Sequence, residues 1–307
     1  MFSCLTYDGV VCRQDVVVFF EQGASVTVLS LCYQVVLLCY HYFGVAELYV
    51  PARVIVAAYV WLSAFGNATY FLRAGHISLS RIISNTLRIC MMPLIISATL
   101  GQPLMLYYVV PQAVLTLCLS AVFALAAQAS PWRQHGTRIA IAVISIACLI
   151  IWDTPLHASV VSFLSNRWPL ASPQAVALPA GHIGLNPLNV SHEWLFRTSL
   201  DHFAPIWGFM FAIFALRLTP ALTSGWKWGS LLLIAVCAVP VWAVLVFPLP
   251  KLEFNSLHPY LSCIPIFSYV LLRNSTSTLR KHYSGLAAFI GRHTLELYIF
   301  QVRKNTC

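Results

Sequence analysis

The chain has 307 residues, of which 59% are hydrophobic and only 9% are charged, whereas soluble domains are about half apolar and about a quarter charged. This composition excludes a soluble globular enzyme and predicts an all-α, polytopic transmembrane helical bundle embedded in a lipid bilayer. The net charge of +9 would suit a nucleic-acid-binding protein, but no aromatic-interleaved basic patch or nucleic-acid motif accompanies it. We therefore expect no nucleic-acid partner.

Apolar segments of roughly 18 to 20 residues, the length that crosses a bilayer, recur along the chain. They predict about nine spans, near 26–43, 51–71, 82–100, 104–127, 139–152, 205–218, 229–248, 259–272 and 284–301. Residues 1–25 form a short N-terminal segment without the basic region or cleavage site of a signal peptide, and 302–307 form a tail. The longest stretch between spans, 153–204, is rich in Pro, Ser, Asn and His, and loops of this length are usually functional or disordered.

Basic residues are distributed unevenly between the two sets of predicted loops. The loops after the second, fourth, sixth and eighth spans hold nine Lys and Arg, whereas the alternate loops hold three. The richer set is expected in the cytosol, which places the 153–204 loop on the lumenal side. The sequon Asn189-Val190-Ser191 is then lumenal and predicts a glycoprotein, while Asn274-Ser275-Thr276 is cytosolic.

Most of the ten cysteines lie inside apolar spans, and no CxxC or Cys/His ligand spacing occurs. Buried cysteine usually behaves as a small hydrophobic residue. We therefore expect neither a disulfide framework nor a metal site.

The densest group of polar side chains runs from His192 to Asp201. On a helix, Glu193, Arg197 and Asp201 would share one face because they are four residues apart. An arginine between two carboxylates keeps charge paired beside lipid. This pattern is typical both of a functional site and of a structural ion-pair ladder at a membrane boundary, and it does not decide between them.

An ordered series of motifs resembles one known family, the ten-pass O-acyltransferase domain of fungal capsule-acetylation, plant reduced-wall-acetylation and animal sialate O-acetyltransferase proteins. The motifs are Tyr40-His41-Tyr42-Phe43, the stretch from Tyr59 to Phe71, Ser78-Leu79-Ser80-Arg81, Leu106-Tyr107-Tyr108, His192-Glu193-Trp194, His258-Pro259-Tyr260 and Thr294-Leu295-Glu296. The resemblance covers about residues 33–301, and we interpret 26–301 as one multi-pass acyltransferase-like domain.

The resemblance implies transfer of acetyl from cytosolic acetyl-CoA to hydroxyls of a lumenal polysaccharide or glycan, in the Golgi or another endomembrane. Two departures bear on this expectation. The chain stops shortly after Gln301, where the family continues through another span, so we interpret it as truncated; Ala64 also replaces a usual glycine. The esterase-like motifs of some members are missing, so a separate lumenal esterase-like acetyltransferase would supply them. The alternatives are an acetyl carrier that serves such a partner and an inactive scaffold.

The resemblance and the residue chemistry together predict two groups of site residues. At the cytosolic side, Arg81, Asn85 and Arg88 fall at i, i+4 and i+7 on the third span and would bind the phosphates of coenzyme A. The alternative for these cations is a positive-inside anchor that reaches to the interface.

The second group lies on the lumenal side, where His192 is the preferred general base because proton transfer needs a pKa near neutral. Glu193 or Asp201 would orient His192 or hold Arg197, and Arg197 would stabilise an oxyanion. Two further candidates lie at the lumenal ends of spans: His41 and His258. A structural hydrogen bond to a neighbouring helix is equally compatible with either histidine.

Overall fold

The computed structural model describes part of the chain in detail. The described residues are 35–37, 39–40, 43–74, 78, 80–87, 91, 95, 146, 155–156, 158–159, 196, 198–212, 225–276 and 279. They form a short 3-10 helix at Ala46–Leu48 and four α-helices: α1 Tyr49–Ala74, α2 Gly225–Val246, α3 Lys251–Leu261 and α4 Cys263–Arg273. Residues 80–87 and 204–212 are two further helical segments. Within these ranges there is no strand, in agreement with the predicted all-α class.

Two helices are long and apolar enough to cross a membrane, over Ala46–Phe71 and Trp228–Val246. They correspond to the predicted spans 51–71 and 229–248. At a rise of 1.5 Å per residue, α1 is about 39 Å long, which exceeds the hydrocarbon thickness of a bilayer of about 30 Å. The described ranges contain no further helix of this length. The other predicted spans, and with them the bundle of nine, therefore stay a prediction.

The start of α1 follows from its local sequence. Gly44 has φ +68°, a left-handed conformation that only glycine adopts readily, and it turns the chain into the 3-10 helix. Pro51 lies in the first turn of α1, where backbone N–H groups have no partner within the helix, so proline costs no hydrogen bond there. The turn places Arg53 close to the N-terminal end of the helix.

Small residues bring segment 204–212 into close contact with α1. Ala204, Gly208 and Ala212 recur every four residues and are all buried, and they lie opposite Ala64 and its neighbours on α1. Helices in lipid associate through such small residues, because backbones can approach closely there. Aromatic side chains fill the space beside this contact.

The aromatic part of this core is centred on Trp61 of α1. Its ring stacks on Phe65 at 5.3 Å between centroids and meets Phe211 edge-on at 5.2 Å. Phe267 of α4 lies 5.3 Å from Phe211. These contacts join α1, segment 204–212 and α4 into one core cluster.

Helix α2 packs against α4 and buries Trp242 and Val246 against Val50 and Phe254. Its other large side chains, among them Leu233, Ile234, Val241, Val244 and Leu245, are exposed. A long apolar face of this kind is typical of a helix that contacts lipid.

The boundaries near the predicted eighth span differ from the sequence-based expectation of one span over 259–272. Helix begins earlier, at Lys251, and is interrupted at Ser262 between α3 and α4. Its apolar part, Cys263–Arg273, has 11 residues and a length of about 16 Å, too short to cross a bilayer by itself. The extra turns of α3 carry the polar residues of the candidate site.

Candidate active site

Three charged or titratable side chains from distant parts of the sequence meet in the interior. Asp201 Oδ2 lies 3.3 Å from Arg53 Nη2, and Asp201 Oδ1 lies 3.3 Å from His258 Nε2. Asp201 is 2% exposed and His258 is 1% exposed. Ionisable groups are rarely buried to this degree unless they are paired, so each carboxylate oxygen has a distinct role in holding one partner. We call these three residues the Arg53–Asp201–His258 cluster.

Each member of the cluster is placed by a different element. Arg53 is in the second turn of α1, Asp201 opens the turn that leads into segment 204–212, and His258 is in the last turn of α3. The Asp201 carbonyl accepts a hydrogen bond from the Ala204 amide at 3.1 Å, which fixes the turn. The close approach of segment 204–212 to α1 therefore also sets the position of the carboxylate.

The surroundings of His258 are apolar on one side. The Phe254 ring lies 5.1 Å from the imidazole, and Phe254 packs with Val50, Trp242 and Val246. Helix α3 lies outside the two membrane-crossing candidates. Burial lowers the pKa of His258, and the hydrogen bond and charge of Asp201 oppose this shift without overcoming it. The imidazole is therefore neutral near neutral pH.

A neutral imidazole beside a carboxylate has one favourable arrangement. The carboxylate accepts, so Nε2 carries the proton and donates to Asp201 Oδ1. Nδ1 then has the lone pair, and it is buried with no hydrogen-bond partner among the described residues. The Arg53 backbone makes the smallest of the contributions that raise the pKa of His258. Proton abstraction requires this arrangement, an oriented imidazole whose basic nitrogen has no hydrogen-bond partner.

Asn255 extends this polar region by one turn of α3. Its Oδ1 accepts a hydrogen bond from Tyr49 Oη at 2.7 Å, and its side chain is buried together with Phe254 and His258. Its Nδ2 is buried and has no hydrogen-bond partner in the described part of the chain. The face of α3 that carries His258 thus holds two polar atoms without partners, one donor and one acceptor.

The structure describes four of the nine predicted site residues. Asp201 and His258 are in the cluster, whereas Arg81 and Asn85 are on segment 80–87. The other five lie outside the described residues, so their roles stay predictions. They are His41, Arg88, His192, Glu193 and Arg197. The ion-pair ladder that would join Asp201 to Arg197 is equally untested.

Arg81 lies at the opposite end of α1 from the cluster. Its guanidinium sits over the Tyr70 ring, with Cζ 3.9 Å from the ring centroid, and Ser78 Oγ accepts from the Arg81 backbone amide at 3.4 Å. Asn85 follows four residues later on the same half-buried helix face. Tyr70 follows Arg53 by 17 positions, which corresponds to about 26 Å along the helix. Arg81 and the Arg53–Asp201–His258 cluster are therefore separated by most of the thickness of a bilayer.

Sequence reasoning missed Arg53. It lies within the predicted span 51–71, and a cation inside an apolar span is by itself a reason to suspect a functional site. Applying that rule to Arg53 would have identified it. In the described parts of the chain no group of His, Cys, Asp and Glu could hold a metal ion.

Residues 32–303 match the family described as "10 TM Acyl Transferase domain found in Cas1p". The chain belongs to this family. The resemblance drawn from the motifs is thereby confirmed, and the chain is a membrane protein of an acyltransferase family. The family description has ten spans, one more than the sequence predicts. No solved structure matches the chain.

One curated relative clarifies the chemistry of the family. The chain is 27% identical over 288 residues to the "N-acetylneuraminate (7)9-O-acetyltransferase" of Danio rerio, and the alignment covers 87% of this chain and 35% of the relative. The chain therefore spans about a third of the length of that relative. The name assigns O-acetyl transfer to the whole relative.

Proposed function

We propose that this chain transfers acetyl groups from acetyl-CoA to hydroxyls of a glycan or polysaccharide at the lumenal side of the Golgi or another endomembrane. The observation that carries the proposal is the buried contact between Asp201 and His258, because it orients a neutral imidazole within a chain of an acyltransferase family. N-acetylneuraminate is the first acceptor to test, since the name of the relative contains it.

In the proposed reaction His258 is the general base. Its Nδ1 takes the proton of the acceptor hydroxyl as the hydroxyl oxygen bonds to the acyl carbon. The carbon–sulfur bond then breaks, and the coenzyme A thiolate takes the proton back from the imidazolium. Asp201 stabilises the transient imidazolium, as a carboxylate does beside a catalytic histidine, and Arg53 holds the other carboxylate oxygen of Asp201 in place.

Both contacts of Asp201 in the cluster are long. At 3.3 Å, the contacts of Asp201 are longer than the 2.7–2.9 Å of good charge-assisted hydrogen bonds, and catalytic hydrogen bonds often tighten only when substrate is bound. His258 is closed to solvent in this state, so substrate binding must open the site. Exclusion of water in the closed state would protect the thioester from hydrolysis.

A second candidate function is an acetyl carrier that delivers acetyl to a separate lumenal transferase. The observation that favours it is the separation of about 26 Å between Tyr70, on which Arg81 stacks, and the buried cluster. Coenzyme A phosphates held near Arg81 and Asn85 would be far from His258. In this case acetyl would cross the membrane without reaching a sugar unless the partner is added.

The experiment compares the purified full chain with His258→Gln in reconstituted vesicles, using radiolabelled acetyl-CoA on one side and N-acetylneuraminate on the other. Gln keeps a polar side chain but cannot act as a base, so we expect label on the sugar to fall at least 100-fold, within the range for loss of an acid–base group. Ser256→Ala is the matched control, because Ser256 is on the exposed face of α3 and bonds only locally to Glu253.

The pH profile of the wild-type chain adds a test of the assigned base. Since protonated His258 cannot accept a proton, the rate should fall on the acid side, with an apparent pKa below the ordinary histidine value near 6.5. Full activity in His258→Gln would refute this assignment. Label that crosses the bilayer but does not reach sugar would favour the carrier.

A further inference from the structure

Asn255 is in an unusual environment for an amide side chain. It is 8% exposed, and the only polar contact that the structure shows for it is the hydrogen bond from Tyr49. The Nδ2 group has two N–H donors, and neither has a partner among the described residues. Buried donors without partners are rare in native proteins, and each calls for an explanation.

The orientation of the amide follows from Tyr49. The phenol donates to Oδ1, which turns Nδ2 away from Tyr49. The Tyr49 ring is itself fixed by an edge contact with Phe254 at 5.9 Å and by the Lys251 ammonium at 4.9 Å. Tyr49 can engage only one end of the amide, so one polar atom of Asn255 is left without a partner in either orientation.

The position of Asn255 relative to His258 indicates a role for the unpartnered donor, Nδ2. The two residues are three apart on α3 and are buried on the same face, and side chains at this spacing are about 5–6 Å apart at Cβ. Because both side chains are buried on this face, a reacting group that enters beside it meets a base and a hydrogen-bond donor together, the pair of roles expected around one carbonyl. On this face of α3, His258 Nδ1 also has no hydrogen-bond partner among the described residues, and it is the acceptor of the pair.

We propose that Asn255 Nδ2 donates a hydrogen bond to the acyl carbonyl oxygen as this oxygen becomes an oxyanion. This inference rests on the proposed function and extends it by naming the group that stabilises the negative charge. When the acceptor hydroxyl oxygen bonds to the acyl carbon, the carbonyl π electrons move to the oxygen, where Nδ2 donates. They return as the carbon–sulfur bond breaks. A donor that is already buried and oriented stabilises this charge without reorganisation.

Tyr49 is a positioning residue in this arrangement because it acts through the Asn255 amide. Its hydroxyl determines which end of the amide faces the substrate, but it does not touch the substrate itself. Removing the hydroxyl would leave the donor present and less well oriented. This difference separates the role of the amide from the role of the Tyr49 hydrogen bond.

The test measures kcat and KM of acetyl transfer for Asn255→Asp, Asn255→Ala and Tyr49→Phe in the same vesicles. Asn255→Asp keeps the acceptor for Tyr49 and removes the donor, while Asn255→Ala removes both without adding charge. We expect kcat to fall 100- to 1,000-fold in each, as for loss of one oxyanion donor, with KM changed less than threefold. We expect Tyr49→Phe to lose no more than tenfold, and Ser256→Ala again serves as the control.

Every rate is divided by the amount of folded protein in the vesicles. Two Asn255 variants are used so that the test still stands if one of them misfolds. The proposal is overturned if either folded Asn255 variant keeps kcat within threefold of wild type. It is also overturned if Tyr49→Phe loses as much kcat as Asn255→Ala, since the loss would then belong to the Tyr49 bond. A wild-type chain that acetylates no sugar would reject the proposed function itself, whereas an active wild type with an inactive His258→Gln and active Asn255 variants would reject only the oxyanion role.

Discussion

Gly208 is the position where a single methyl group should disturb the fold most clearly. A Cβ at Gly208 would lie 2.7 Å from the Trp61 carbonyl oxygen, 2.8 Å from Ala64 Cβ and 3.0 Å from the Phe65 amide nitrogen. Two of these three atoms belong to the backbone of α1, so they cannot rotate away. In Gly208→Ala, segment 204–212 and α1 would therefore have to move apart.

The expected destabilisation follows from overpacking. Forcing an extra methyl group into a close-packed contact costs about 1–3 kcal/mol, and separation of the two backbones also weakens the dispersion contacts along the seam. A gain of up to about 1 kcal/mol in helix propensity opposes this loss. We therefore expect a net destabilisation of up to about 3 kcal/mol.

Gly66→Ala is the matched control because Gly66 is in α1 and, apart from its own stretch of helix, no atom of the described residues lies within 4 Å of a Cβ built there. Both substitutions add the same methyl group and gain the same helix propensity, so their difference isolates the contact at Gly208. The assay is thermal unfolding of the detergent-purified chain. Gly208→Ala should unfold at a lower temperature than wild type and Gly66→Ala at the same or a higher temperature; equal midpoints for the two variants would refute the packing.

The remaining predictions concern the buried charges and the second sequon. Asp201→Asn removes the charge shared by Arg53 and His258 and should destabilise the chain by about 3–5 kcal/mol. The double variant Arg53→Met/Asp201→Leu should recover part of this loss, because it removes both charges of the pair. A double variant less stable than Asp201→Asn in the same unfolding assay would contradict the pairing. Asn274 is buried and donates from Nδ2 to the Val270 carbonyl at 2.8 Å, so Asn274→Gln should leave gel mobility unchanged before and after glycosidase treatment, and a mobility shift would show that this sequon is modified.

The sequence predicted two of the apolar helices, α1 and α2, because hydropathy is a local property. The predicted spans 51–71 and 229–248 overlap α1 and α2 almost fully. The interruption at Ser262 was missed although the sequence holds a signal for it. Pro265 lies in the first turn of α4, where proline is tolerated, whereas inside one continuous helix it would remove a backbone hydrogen bond. The ends of helices near membrane boundaries depend on tertiary contacts such as those of α3 with α1 and α2.

The candidate site was predictable in its chemistry and not in its contacts. Asp201 and His258 were selected because ionisable side chains are rare in an apolar chain, but they are 57 residues apart, and no local pattern shows that they meet. The charge distribution predicted only that both lie on the same side of the membrane, and their contact agrees with this expectation. Asn255 gave no signal at all, since the absence of a partner for Nδ2 is a property of the folded chain.

Arg53 connects the orientation of the chain with its chemistry. It lies at the end of α1 that the charge count predicts to be lumenal, where positive charge is disfavoured. Its pairing with buried Asp201 neutralises it, so it does not oppose the predicted orientation. A buried ion pair often stabilises the fold no more than well-packed apolar residues of similar volume do. The stability of the fold therefore does not by itself explain the Arg53–Asp201 pair. A role for the pair in holding His258 as an oriented base does explain it and links the position of Arg53 on α1 to the proposed acetyl transfer.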